Sequence, residues 1–221
     1  MNAHHEHEFE AAPGLPEALP AGERILWQGS PDWRTLGNEA FHLRRLALYF
    51  GLMLALQAVF SWEPGMRAAT LLGGLAFSAV LASLALGLLA LIAWLSARTT
   101  LYTLTDKRVV MRVGIVLTLT FNLPLSGIQA ARVRNTRHGI GNIALSLRGP
   151  DRIAFLHLWP HARPWQVNNP EPMLRCLPNV DALGRQLEAA WSAVHSNKPM
   201  HAAQRDPAPA PQANLPAAIS P

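Results

Sequence analysis

The chain has 221 residues, half of them hydrophobic and only 15% charged, with a formal net charge of +5 and a single cysteine. One cysteine excludes a disulfide framework and a thiolate metal cluster, in keeping with a reducing compartment. The basic residues are scattered, which argues against a nucleic-acid-binding protein.

Residues 1–21 contain "HHEHEFE", where His4, His5 and His7 could catch a divalent metal. The segment has too little apolar surface to bury, so it reads as a disordered, solvated tail. Residues 22–42 form a juxtamembrane segment. Within it "ERILWQG", residues 23–29, can supply an extra strand to a sheet formed later in the chain.

Two apolar stretches then decide the class. "LALYFGLMLALQAVFSW", residues 46–62, follows Arg44-Arg45 and stops at Glu63-Pro64-Gly65. Its length is at the short end of the spanning range of about 17–25 residues. Residues 68–97 carry no charged side chain. At about 1.5 Å per residue they would run roughly 45 Å as helix, more than one span and less than two. The alternative is a pair of buried helices in a soluble protein, but such helices rarely stay uncharged all round. Neither stretch reads as a signal peptide, since the first begins only at Leu46, without a charged n-region at the terminus. Residues 43–97 are therefore expected to form a two-helix transmembrane hairpin.

The flanks set its orientation. Arg34, Arg44 and Arg45 precede the first span, and Arg98, Lys107, Arg108 and Arg112 follow the second, while Glu63 and Arg67 cancel in the turn. The positive-inside bias places both termini in the cytoplasm of a multi-pass inner-membrane protein. Trp27, Trp33, Trp62 and Trp94 suit an interfacial aromatic belt.

Residues 98–195 read as a cytoplasmic β domain. Alternation marks Val109, Met111 and Val113 before a turn or bulge at Gly114. It also marks Ile115, Leu117, Leu119, Phe121 and Leu123, with Thr118, Thr120 and Asn122 on the other face. An Asp106-Lys107 turn closes the first hairpin. "SGIQAARVRN" reads as a shorter strand, and "NIALSLR" and "RIAFLHLW" as a second hairpin around Gly149-Pro150-Asp151. "WPHARPWQVNNPEP" is too proline-rich for a regular element. In "NVDALGRQLEAAWSAV", Asn179 or Asp181 can cap a helix whose Val180, Leu183, Leu187, Ala190, Trp191 and Val194 share a face. Five to seven strands closed by one C-terminal helix outline an α+β, pleckstrin-homology-like antiparallel barrel or sandwich. Residues 196–221 are Pro- and Ala-rich and read as disordered.

Chemistry is sparse. No phosphate loop, HExxH or GxSxG occurs, and the carboxylates form no evident acid/base pair. Cys176 lacks signs of activation. His157 and His161, around Trp159, could ligate a porphyrin-type pigment, or could simply cover a sheet edge. Trp159, His161 and Trp165 are candidates for client recognition. Arg98, Lys107, Arg108 and Arg112 are candidates for contact with an anionic leaflet. Arg132, Arg134 and Arg137 with His138 form the densest basic group. In the second span Gly74, Ser78 and Ala82 recur every fourth residue, as do Ala79, Ser83 and Gly87. Such stripes mark close helix contacts, either with the first span or with a client or second copy. Gln57 in the first span needs a partner under the same two alternatives.

"GERILWQGSPDW" before two apolar helices and "YTLTDKRVVMRVGI" after them resemble the bacterial membrane-anchored PH-domain proteins. "NLPLSGI", "GNIALSL", "DRIAFLHLWPHARPW" and "PEPMLRCLPN" are similar to one branch of these, the photosynthetic-complex assembly proteins of purple bacteria. The likeness spans roughly residues 22–192. It implies a non-catalytic membrane assembly factor for the reaction centre and core light-harvesting complex, without a cofactor. Its expected partners are membrane lipids, reaction-centre and core-antenna subunits, and a second copy of itself. The alternatives are a general membrane-anchored PH-domain protein binding lipid or peptide, and a pigment-handling protein using His157 or His161.

Overall fold

The computed structural model describes residues 15, 19–62, 67–136, 139–148 and 153–195. The expectations for His4, His5 and His7, the Glu63-Pro64-Gly65 turn, Arg137, His138, Gly149-Pro150-Asp151 and the C-terminal tail lie outside them.

Among the described residues, seven strands form two antiparallel sheets. The first comprises β1 (Ile25–Gly29), β2 (Leu101–Thr105), β3 (Arg108–Val113) and β4 (Leu119–Pro124), in that order. The second comprises β5 (Ile128–Asn135), β6 (Ile140–Leu147) and β7 (Met173–Pro178). The C-terminal helix Val180–Val194 packs on both, and its Trp191 Nε1 donates to the Ile128 carbonyl at 3.0 Å. Tyr102, Met111, Leu125, Ile143, Leu145 and Leu177 are among the fully buried side chains at the centre.

The extra strand expected at residues 23–29 is present. Gln28 pairs with Thr103 and Gly29 with Tyr102, so residues 30–100 are inserted between two adjacent strands of one sheet. The insertion contains α1 (Trp33–Glu39), α2 (Leu43–Phe60) and α3 (Ala68–Thr99). The juxtamembrane helix α1 has no apolar periodicity long enough to announce it. Asp32 caps it, its carboxylate accepting from Thr35 N at 2.8 Å and Thr35 Oγ1 at 2.6 Å. Gly37 permits close packing here, because a Cβ would sit 2.8 Å from Leu43 Cδ1 and 3.6 Å from Ala93 Cβ.

Both α2 and α3 are long and apolar enough to cross a membrane, and the rest of the chain leaves their most apolar stretches uncovered. They pack on each other along one stripe each. On α2 the half-buried positions are Leu43, Leu46, Phe50, Leu54, Gln57 and Ala58; on α3 the half-buried Leu71, Leu75, Ser78 and Leu86 flank the buried Ala82.

Four expectations need correction. Residues 115–118 are not strand: Gly114, at φ +122°, turns the chain so tightly that a Cβ would strike the Leu117 carbonyl. "RIAFLHLW" is not the partner of "NIALSLR", because β6 already has β5 and β7 on its two edges. Residues 155–158 instead make one helical turn, α4 (Phe155–Leu158). Asn179 holds the N-cap position of the helix that follows it, here α5, but in a left-handed conformation with no side-chain bond, and Asp181 accepts from Asn135 Nδ2 at 2.6 Å. Val194 is exposed rather than part of the buried face.

Candidate functional site

The region with the most built polar structure is the junction where α3 feeds into the barrel. Its last turns and α1 bury Leu36, Phe41, Ala93 and Ala97 against Cys176 of β7. Asp32 N donates to the Cys176 carbonyl at 2.8 Å. Glu39, at the end of α1, accepts from Thr136 Oγ1 and Asn142 Nδ2, each at 2.8 Å. Asn142 Oδ1 in turn accepts from Cys176 N at 2.7 Å. Arg175 donates through Nη1 to the Pro160 carbonyl at 2.8 Å and places Nη2 3.9 Å from Glu39 Oε2. The helical insertion is thus keyed into the second sheet by hydrogen bonds as well as apolar contact.

His161 belongs to this junction, which corrects its assignment as a recognition residue. It is 1% exposed. Thr100 Oγ1 lies 3.0 Å from Nε2 and Tyr102 Oη 2.5 Å from Nδ1. Burial, reinforced by the Arg175 charge, pushes its pKa down to about 3, so the ring is neutral. Burial likewise raises the Tyr102 phenol. With both ring nitrogens engaged, His161 has no lone pair to offer a pigment metal. His157 lies exposed on α4. Cys176 is pushed up to about 12 by burial and by Glu39, which leaves it a thiol.

The remaining candidates divide. Trp165 is 98% exposed at φ +66°. It borders an open recess with Gln166, Val167, Asn168, Asn169 and Glu171. Trp159 is half exposed and packs edge-on against Phe41, ring centroids 5.3 Å apart. Burial raises the Glu171 carboxyl, but hydrogen bonds from Arg163 and Ser146 and the charges of Arg163 and Arg132 outweigh it and lower its pKa. Arg132 is therefore paired with Glu171 at 3.1 Å.

Of the four cations expected to meet an anionic leaflet, Arg98 and Arg112 lie level with the end of α3, and Arg98 stacks on Trp94 at 5.4 Å. Lys107 and Arg108 do not. The five residues of β2 carry the chain about 16 Å away from α3 before the turn, so nearness in sequence misled. Arg108 instead pairs with Glu23 at 2.8 Å, a carboxylate that also accepts from Thr105 Oγ1 at 2.7 Å.

The small-residue stripes also divide. A Cβ on Gly74 would face Gln57 Nε2 at 3.9 Å. Ser78 is half buried and Ala82 is 9% exposed. Ser78 and Ala82 thus lie on the side of α3 that packs within the chain, and the exposed Gly74 borders it opposite Gln57 of α2. Ala79 is half buried, whereas Ser83 and Gly87 face outward.

Between the sheets, Trp27, Tyr102, Leu104, Val109, Leu174 and Leu187 border a cavity of about 10 Å³. That is room for one water rather than a lipid or pigment. Among the described residues, no three His, Cys, Asp or Glu side chains group as metal ligands.

Comparison with known proteins agrees with this architecture. A family model described as "Bacterial PH domain" matches residues 51–191, from within α2 into α5. A protein of Rhodobacter capsulatus, named "Uncharacterized 23.7 kDa protein in puhA 5'region", is 37% identical over 191 residues. The match covers 86% of this chain and 89% of that protein. No solved structure matches. The chain belongs to the bacterial PH-domain family.

Proposed function

We propose that the protein is a non-catalytic membrane assembly factor for the photosynthetic reaction centre and core light-harvesting complex, of the PuhB type. The observation that carries this reading is the relative from the puhA 5′ region, which aligns over most of both chains. The motifs quoted above from the same stretch resemble the photosynthetic branch of the family. The uncovered helices α2 and α3 suit the inner membrane, with both termini cytoplasmic by the positive-inside bias. A non-catalytic role fits the polar side chains: Glu23, Glu39, Glu171 and His161 are occupied in holding the fold together.

In this reading the outward face of α3, with Ser83 and Gly87, meets a client helix or a second copy. Trp165 and the half-exposed Trp159 meet the cytoplasmic part of a client. Deleting the gene in its phototrophic host should lower reaction-centre and core-antenna absorbance, with return on complementation. Unchanged absorbance in the deletion strain would leave the general lipid- or peptide-binding reading in its place. A reporter active only in the periplasm should work when fused near Gly65 and fail after Gly114 or Val194.

A further inference from the structure

We propose that the loop between β3 and β4 dips its apolar tip, Ile115-Val116-Leu117, into the interface of the bilayer that α2 and α3 span. The proposal rests on the membrane-spanning reading above and adds a second point of insertion, on the β domain itself.

The register places the tip. β2 starts at Leu101, directly after the end of α3 at Thr99 and its C-cap Thr100. Leu101 pairs with Arg112, and Val113 with Leu119. The turn end of the β3–β4 hairpin therefore lies level with the end of α3, which touches β3. Distances close the argument. Trp94, under the Arg98 guanidinium, marks the interfacial belt on α3, and the helix rises about 7.5 Å from Thr99 back to it. Val116 is three residues past Val113, a reach of at most about 10 Å. The tip can stand at the depth of Trp94.

The chemistry matches that position. Ile115, Val116 and Leu117 are 40, 90 and 81% exposed. Three consecutive apolar residues at a loop tip, where polar turn formers are the rule, require a cover. Residues 107–150 contain no Asp or Glu, so no acidic side chain on this stretch opposes an anionic leaflet. The continuity with α3 favours lipid as the cover over a second protein.

The test uses the full chain in nanodiscs of phosphatidylcholine and phosphatidylglycerol. An environment-sensitive dye is attached in turn to Val116→Cys, Lys107→Cys and Leu84→Cys, while the buried Cys176 stays unlabelled. The expected result is a blue-shifted dye at 116 and at 84, both quenched by spin-labelled lipid. Lys107 lies at the opposite end of the same strand pair, and its dye should be quenched by aqueous iodide alone. A dye at 116 that follows 107 while 84 is quenched by lipid overturns the proposal and spares the spanning reading. Lipid quenching absent at 84 overturns both. A dye at 116 shielded from lipid and iodide alike overturns the proposal in favour of a protein contact.

Discussion

Tyr102 Oη and His161 Nδ1 lie 2.5 Å apart inside the protein, joining the first strand after α3 to the loop that precedes β7. Thr100 Oγ1 holds the other ring nitrogen at 3.0 Å. A doubly bonded, buried imidazole between these partners fixes where the helical insertion meets the barrel.

This pair predicts a pH dependence. His161 has a folded pKa of about 3, below the ordinary value of 6.5, so the unfolded state binds the extra proton between those values. Stability from this group is fully present above pH 6.5 and is lost as pH falls from there toward 3. Going from pH 7.5 to 5.5 should remove about 1.4 kcal/mol, the cost of keeping the ring neutral one unit below its unfolded pKa. Melting of the β domain in mild detergent measures it. His161→Gln should be less stable at neutral pH and flatter across this window. An equal pH slope in the variant would assign the effect to other groups.

Glu39 makes a second prediction. Its carboxylate serves Thr136, Asn142 and Arg175 at once, and Cys176 lies fully buried beside it. Glu39→Ala leaves the buried Asn142 amide without its acceptor, at roughly 1–3 kcal/mol, and removes the carboxylate that faces the buried Arg175. The Cys176 thiol reports the outcome: in the folded protein a maleimide should label it only through opening of the junction, and in Glu39→Ala labelling should be at least about tenfold faster. Equal labelling rates would mean that Glu39 does not hold the junction closed.

Much of the architecture is legible in the sequence because it is written in short periods. The uncharged run 68–97, the alternation through Val109–Val113, and the stripe from Val180 to Trp191 each declare a face directly. What fails to show is set by competition for edges and by chain direction. "RIAFLHLW" alternates like a strand, yet both edges of β6 are already taken. Lys107 and Arg108 follow closely on α3, yet an extended strand takes them to the far end of the sheet. His161 sits among prolines in a stretch with no periodicity, so nothing local distinguishes a buried structural ring from an exposed ligand. The partition of the two small-residue stripes depends on how α3 is rotated against α2, which a spacing of four does not encode.

The tryptophans of the loop should separate fold from function. Trp165 makes little contact with the rest of the described chain, so Trp165→Ala should change the melting temperature negligibly. If it anchors a client, co-purification of reaction-centre or antenna subunits should drop. Trp159 also packs edge-on against Phe41, so Trp159→Ala should cost about 1 kcal/mol of stability in addition. Normal co-purification with Trp165→Ala would remove this loop from recognition.

The last prediction concerns the two stripes of α3. Gly74, Ser78 and Ala82 lie toward the stripe that packs on α2, with Gln57 opposite Gly74, so enlarging Ala82 forces the hairpin apart. Overpacking of this kind costs roughly 1–3 kcal/mol, and Ala82→Leu should lower the protein's own level in the membrane. Gly87 faces outward, with nothing within 4 Å of where a Cβ would be. Gly87→Leu therefore leaves the hairpin intact, and the protein should accumulate normally. If a client helix docks on that outward face, its closest approach is through Ser83 and Gly87. Transmembrane packing contacts are worth roughly 0.6–2 kcal/mol, so the substitution should weaken a transient complex about three- to thirtyfold. Immunoblots of the membrane fraction and near-infrared absorbance read the two effects independently. Reduced absorbance at normal protein level is expected for Gly87→Leu, and reduced levels of both for Ala82→Leu. Normal absorbance with Gly87→Leu, in a host where deletion of the gene abolishes it, would move client contact off this helix face and onto the β domain.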